Sequence, residues 1–260
     1  METLISVIMP IYNRADTCVS SIQSVLQQSY KNFELIIVDD GSSDDLRSAV
    51  NRFLCPTVRY YRVSKNCGQS YARNLGIYLA KGDVIAFQDS DDIWSADKLM
   101  LQLDAIQDAD FSFCAFKRNG QFFPLYHPDC QQLYAMLLRM PAIGTPTLCC
   151  KKAVLNQVGG FRENYRCFED YDLSLRLSKD YKGVFVDQVL LEAKDMPKHV
   201  GGEENANEAM RVRCDLLKRY YHDIRQFGLL ESWLTGLEAF KPYCDPIIYQ
   251  YESNRLNTFL

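Results

Sequence analysis

The chain has 260 residues, a formal charge of −4, 47% hydrophobic and 24% charged residues, as expected of a packed globular protein of one large α/β domain or two small ones. The negative balance argues against a nucleic-acid backbone as partner, and no apolar run reaches the ~18 residues of a membrane span. Ten scattered cysteines without a CxxC pair, only Cys149 and Cys150 being adjacent, read as reduced, buried thiols of a cytoplasmic protein.

The opening "METLISVIMP" lacks the basic start of a signal peptide, and its β-branched run to Pro10 predicts a buried strand. "DTCVSSIQSVLQQS" has helical spacing at Val19, Ile22, Val25 and Leu26. "FELIIVDD" predicts a second strand that turns at Gly41 into the helix "DLRSAVNRFL". "VRYYRV" is a third strand, and "GQSYARNLGIYLAKG" a helix ending at Gly82. "DVIAFQDSDD" is a fourth strand, after which Ser95 can cap the helix "ADKLMLQLDAIQ".

Short connections between alternating strands and helices predict a central, mostly parallel sheet flanked by helices. Ligands of such sheets bind beyond the carboxyl ends of the strands, where "YNR", "DDGSSD" and "DSDD" fall. The second half is less regular. "DFSFCAFKRNGQFFPLY" reads as two strands around an Asn-Gly turn, and "CQQLYAMLLRM" as a helix. "TLCCKKAVLNQVGGF" reads as a strand, a short helix and a Gly-Gly break. "EDYDLSLRLSKDY" predicts a helix with acids in its first turn, and "KGVFVDQVLLEA" a strand. From about 201 onward the pattern is helical.

The densest chemistry is "AFQDSDDIW", where an apolar run ends in Asp89, Asp91 and Asp92. Carboxylates this close repel and raise one another's pKa. Strand alternation would point Asp89 and Asp91 to one side, and two hard oxygen donors there suit Mg²⁺ or Mn²⁺ shared with substrate phosphates. At "VDDGSSD", Asp39 and Asp40 exceed what one helix cap needs and can accept from a base or ribose. "PIYN" offers Tyr12 as a stacking face, and "NCGQSYARNLG" offers a helix N-terminus with Arg73 one turn in. Glu169 and Asp170 open the helix of "FEDYDLSLR", where a carboxylate held at a cleft can act as general base.

In this order and spacing, "PIYN", "VDDGSSD", "NCGQSYARNLG", "GDVIAFQDSDD" and "GGFRE…FEDYDLSLR" resemble glycosyltransferase family 2, nucleotide-sugar transferases of the GT-A fold, over residues 4–185. The resemblance implies a GT-A domain over residues 1–200, with a nucleotide-binding half at 1–105 and an acceptor-binding half at 106–200. Residues 201–260 would form a helical C-terminal extension. Pro10, Tyr12, Asn13, Asp39 or Asp40, Asn66, Gly68 and Arg73 would hold the donor nucleotide, with Asp89 and Ser90 at its ribose. Asp91 would ligate Mn²⁺ or Mg²⁺, with His199 as a further candidate at the metal-diphosphate. Asp170 would be the catalytic base, and Glu169 and Trp94 would meet the acceptor.

The implied activity is an inverting, metal-dependent transfer of one hexose from a nucleotide-diphosphate donor, UDP-linked by family habit. The acceptor would be a hydroxyl of a saccharide or lipid-linked saccharide in O-antigen, capsule or lipopolysaccharide synthesis, and the product a β-linkage. A polysaccharide synthase-like enzyme is the alternative within the class, but "QxxRW" and membrane helices are missing. A non-catalytic nucleotide-sugar or glycan-binding protein is the alternative outside it; the DxD and Asp170 together favour an enzyme. Finally, Arg211, Arg213, Lys218, Arg219 and Arg225 interleave with Leu216, Leu217, Tyr220, Tyr221, Ile224 and Phe227. Such a basic amphipathic stretch either lies on the inner face of the membrane or packs on the domain.

Overall fold

The first strand, β1 (Ile5–Ile11), alternates its side chains between two apolar layers. Ile5, Val7, Met9 and Ile11 face one layer and Ile8 the other. The computed structural model describes residues 2–124, 128–194 and 203–260. In chain order the first half continues with α1 (Cys18–Leu26), β2 (Phe33–Asp39), α2 (Leu46–Asn51), β3 (Val58–Arg62), α3 (Gln69–Leu79) and β4 (Val84–Phe87). These four strands lie side by side in the order β3-β2-β1-β4, all parallel. The chain therefore reverses its direction of growth at β1, and a crevice opens between the carboxyl ends of β1 and β4.

The second half adds β5 (Ile93–Trp94), α4 (Lys98–Ala105), β6 (Phe111–Arg118), β7 (Gln121–Phe123), α5 (Leu133–Arg139), β8 (Leu148–Lys151), α6 (Lys152–Gln157), α7 (Glu169–Asp180) and β9 (Gly183–Ala193). Here the sheet is mixed. β8 runs antiparallel to both β4 and β6, β9 is parallel to β6, and β5 closes the edge antiparallel to β9. The β6–β7 hairpin turns at Asn119 and Gly120, both with positive φ, as an Asn-Gly turn requires.

Buried polar groups fix the register of the parallel half. Ser6 donates to Glu34 at 2.7 Å and accepts from the Gly82 N–H at 2.9 Å, and Arg59 pairs with Glu34 at 2.5 Å. Thus Gly82 is a point of close backbone approach to β1. The helix before it ends earlier, at Leu79, where Ala80 turns extended.

Helices cover both faces. α1, α2 and α4 bury Ile22, Val25, Leu46, Val50 and Leu99 on one side. α3, α5, α6 and α7 cover the other, joined there by α8 (Glu203–Arg219), α9 (Tyr221–Gln226), α10 (Leu230–Glu238) and α11 (Pro246–Asn257). Leu216, Leu217, Tyr220 and Ile224, expected either at a membrane surface or against the domain, are buried in this layer. These four side chains are taken up by tertiary packing, while Tyr221 stays half-buried and Phe227 is 42% exposed. No helix among the described residues is long and apolar enough to cross a membrane.

Candidate active site

The crevice at the carboxyl ends of β1 and β4 holds a cavity of about 390 Å³, within the size range of small-ligand sites. Pro10, Tyr12, Asp40, Asn66, Gly68, Arg73, Asp89, Ser90 and Asp91 line it. Tyr12 is 45% exposed, leaving its ring face open to a ligand. Asp40 accepts from the N–H groups of Cys67 and Gly68, both at 2.8 Å, tying the end of β2 to the start of α3. Gly68 has φ +98, and a side chain there would run into the Arg166 guanidinium, which also lines the cavity.

Two expected donor contacts are elsewhere. Asp39 is fully buried and lines neither cavity of the crevice; its carboxylate accepts from Ser42 N at 2.7 Å and from the Tyr60 hydroxyl, with Arg62 at 3.7 Å. It braces the turn after β2. Asn13, in the left-handed region at φ 52, accepts from Ser43 N at 2.7 Å and likewise locks two loops together. Trp94 is the third departure. It is 4% exposed, in the core, with the Lys98 ammonium 4.4 Å from its ring centre, so it cannot meet an acceptor. Its position two residues past the acids hides that β5 turns it inward against β9.

The acids come together by a turn, not by strand alternation. β4 stops at Phe87, and the buried Gln88 side chain donates to Asp92 O at 2.7 Å, folding the segment back. Burial and then the Asp89 charge raise the Asp91 pKa. Burial, with Asp89 and Asp91 next, pushes Asp92 up to about 8. The charges of Arg14 and Arg118 oppose the Asp91 shift. A carboxylate penalised in this way is relieved by a cation. Among the described residues no cluster of three or more His, Cys, Asp or Glu is placed to hold a metal by itself. Mg²⁺ or Mn²⁺ take one or two carboxylates and complete their shell with water and substrate phosphates, and Asp91 would be such a carboxylate. His199 lies outside the described residues.

A second cavity, of about 340 Å³, shares Arg14, Gln69, Arg73, Asp89 and Asp91 with the first. Asp92, Phe116, Arg118, Glu169, Asp170, Ala193, Lys194 and the segment 144–147 complete it. Asp170 is half-buried in the first turn of α7 and accepts from the Tyr171 N–H at 2.7 Å. Burial first, and then the Glu169 charge, push its pKa up to about 7. A carboxyl group so placed can take a proton near neutral pH. Glu169 touches the same cavity, but it is buried and accepts from Gln69 at 2.6 Å and Arg73 at 2.9 Å. Both bonds fall on Oε1, which makes that oxygen a strut between α3 and α7. Arg73 is itself 3% exposed and also donates to Asp89 at 2.9 Å. Burial works against its charge, yet the two carboxylates outweigh that and raise its pKa. Its guanidinium is committed to the wall between the cavities.

Arg14, Gln69, Phe116, Arg118, Arg166 and Lys194 line these cavities unforeseen. Phe116 and Arg118 had a signal, lying two apart in a strand and so on one face. Arg14 directly follows "PIYN". Nothing local marks Lys194.

The model of the family described as "Glycosyl transferase family 2" matches residues 6–158, more than half of the chain. An uncharacterized glycosyltransferase of Rickettsia felis is 36% identical over 179 residues, covering 65% of this chain and 29% of that protein. The chain thus spans less than a third of that relative's length. The Escherichia coli protein named UDP-Glc:alpha-D-GlcNAc-diphosphoundecaprenol beta-1,3-glucosyltransferase WfgD is 35% identical over 183 residues, covering 69% of this chain and 71% of that one. Among solved structures, the mannosyltransferase PcManGT of Pyrobaculum calidifontis, in complex with GDP-Man and Mn²⁺, superposes with a TM-score of 0.62. It is 19% identical and covers 86% of this chain and 65% of that one, a likeness of fold.

Proposed function

The chain belongs to glycosyl transferase family 2, with the GT-A fold, and from that premise we propose that it moves one sugar from a nucleotide-diphosphate donor to a saccharide hydroxyl. The observation that carries the reading is that Asp89 and Asp91 line both cavities, and that the second brings them together with Asp170, whose pKa is raised. In this reading residues 1–105 supply most of the donor site and 106–200 most of the acceptor site. The donor base lies along Tyr12 and Asp40, Asp89 and Ser90 meet the ribose, and Asp91 holds Mn²⁺ or Mg²⁺. When bound, the cation supplies Lewis-acid neutralisation of the charge on the leaving diphosphate. Asp170 takes the proton of the acceptor hydroxyl, which enters from the face opposite the leaving group. A single displacement inverts the anomeric centre, so an α-linked donor gives a β-glycoside.

A UDP-linked hexose donor and a lipid-linked saccharide acceptor on the cytoplasmic side of a membrane are the favoured pair. Support comes from WfgD, whose name specifies UDP-Glc and a diphosphoundecaprenol-linked acceptor. The setting would be synthesis of a bacterial surface polysaccharide. A panel of nucleotide sugars, assayed for transfer and slow hydrolysis with Mn²⁺, tests the reading. Asp170→Asn should bind UDP normally by calorimetry while transfer falls about 10²–10⁴-fold. EDTA should abolish turnover and Mn²⁺ restore it. Wild-type transfer by Asp170→Asn would move the base elsewhere, and full activity in EDTA would remove the metal.

A further inference from the structure

Arg73 and Glu169 are 96 residues apart in sequence and meet inside the wall between the two cavities. One guanidinium nitrogen of Arg73 donates to Glu169 Oε1 and another to Asp89 Oδ1, each at 2.9 Å. Gln69, one helical turn earlier on α3, donates to the same Glu169 oxygen at 2.6 Å. A buried arginine bridging two carboxylates holds all three groups in place, because freeing any of them leaves a desolvated charge unpaired.

Glu169 is the first residue of α7, and the residue before it, Phe168, is in the left-handed region at φ 55. A bulky side chain adopts that conformation only where its surroundings impose it. The Phe168 ring is edge-on to Tyr171 at 6.4 Å, with the Arg213 guanidinium 5.9 Å from its centre. The start of α7 is therefore pinned by packing on one side and by the Arg73–Gln69 clamp on the other. Asp170 is the next residue.

We infer that Glu169 is a positioning residue: through Arg73 and Gln69 it ties the first turn of α7, and with it the Asp170 carboxylate, to the Asp89 side of the donor cavity. The inference rests on the reading of Asp170 as the base. Its physical basis is that proton abstraction is steeply sensitive to placement, a shift of about 1 Å being enough to cost ~10²-fold. The clamp reaches both halves of the site through separate bonds: one guanidinium nitrogen of Arg73 holds Glu169, and another holds Asp89 on the donor side. The Glu169 charge beside Asp170 also favours the protonated carboxyl.

Glu169→Gln keeps the shape and an accepting oxygen but removes the charge. Its kcat should fall about tenfold to a hundredfold, the effect of weakening a charge-assisted hydrogen bond. UDP binding in the presence of Mn²⁺, by calorimetry, should stay within about twofold of wild type, a difference under ~0.5 kcal/mol. The acidic limb of the kcat profile should move to lower pH, because Asp170 loses a negative neighbour. A readout without turnover is infrared difference titration of the Asp170 carboxyl in the ligand-free protein, taken against Asp170→Asn. It should shift in the same direction.

Asp170→Asn, assayed for transfer alongside, separates the two claims. If it retains transfer, the base reading fails whatever Glu169→Gln does. If it is inactive while Glu169→Gln keeps wild-type kcat and an unmoved limb, the positioning inference alone is overturned. A lower melting temperature with kcat and limb unchanged overturns it too. Should Glu169→Gln fold poorly, Gln69→Ala removes one donor to the same oxygen. A severalfold lower kcat with folded protein supports the inference, and an unchanged kcat refutes it.

Discussion

Asp170 and Asp172 are two residues apart on α7 and meet different surroundings. The Asp170 side chain lines a cavity and has no cationic side chain hydrogen-bonded to it among the described residues. Asp172 is 0% exposed, and its oxygens accept from Arg162 at 3.1 Å and from Arg176 at 2.6 and 2.8 Å. The first arrangement stores proton affinity and the second stores stability. Burial and the Glu169 charge push Asp170 up to about 7, and as the proposed base it must be ionised to accept a proton, so kcat should fall as pH drops through about 7. The same shift has a stability consequence. A carboxyl raised above its unfolded value of about 4 stabilises fully below that value and loses this contribution as pH rises through 7. Asp170→Asn should therefore gain melting temperature relative to wild type at pH 8 and little at pH 5; the opposite trend would mean that the group is ionised well below neutrality. Asp172→Asn should instead cost about 3 kcal/mol by urea denaturation, because Arg176 loses a buried partner. Its folded fraction should retain wild-type specific activity.

At the scale of elements, periodicity was enough to read β1 to β4 and the helices between them, because β1, β2 and β4 are buried on both faces and each helix presents one stripe. The motifs at the strand ends were legible for the same reason: a parallel sheet sends its polar residues to one edge. What periodicity could not supply was the direction of each side chain in a turn. Asp39 and Asp40 are adjacent, and the chain after β2 turns one into the core and the other to the cavity wall. The acids after β4 read as strand residues, yet a turn assembles them. Trp94 looked like a rim aromatic, and only the long-range pairing of β5 with β9 buries it. The mixed order of β8, β6 and β9 depends on pairings between distant segments, and no local pattern encodes it. One local signal does carry a tertiary consequence: Gly76 in α3. A methyl group there would overlap Ile8 Cγ2 on β1, so α3 can lie this close to the sheet only with glycine. Gly76→Ala should cost about 1–3 kcal/mol in urea midpoint analysis. It should also weaken UDP binding, since the same helix presents Gln69 and Arg73 to the cavities. Wild-type stability would show that α3 can shift outward without penalty.

For the whole molecule, the question is what the residues after 202 do for the site. They share one continuous core with the preceding domain: Leu216, Leu217, Ile224, Trp233 and Leu256 lie in the same buried layer as Phe87, Phe113 and Leu175. Trp233 donates its indole N–H to Leu138 O at 2.7 Å and stacks on Tyr171, with ring centres 6.2 Å apart. Tyr171 in turn donates to Leu137 O at 2.7 Å, and Arg213 covers the Trp233 ring at 4.9 Å. Tyr171 adjoins Asp170, so α5, α8 and α10 together hold the helix whose first turn carries the proposed base. Trp233→Ala should therefore cost about 3–5 kcal/mol, the usual penalty for emptying a large aromatic site in a core. It should also lower kcat more than it weakens UDP binding, because Tyr12, Asp40 and Asp91, the proposed donor residues, stand on the other half of the sheet. Ending the chain at residue 202 would strip this layer bare and should yield aggregated protein. If the shortened chain stayed monomeric, melted cooperatively near the wild-type temperature and bound UDP, the helices would be an appendage and the shared core energetically idle. The same burial predicts no flotation with anionic vesicles through Leu216 and Leu217. Binding that survived their replacement by alanine would have to come from another surface.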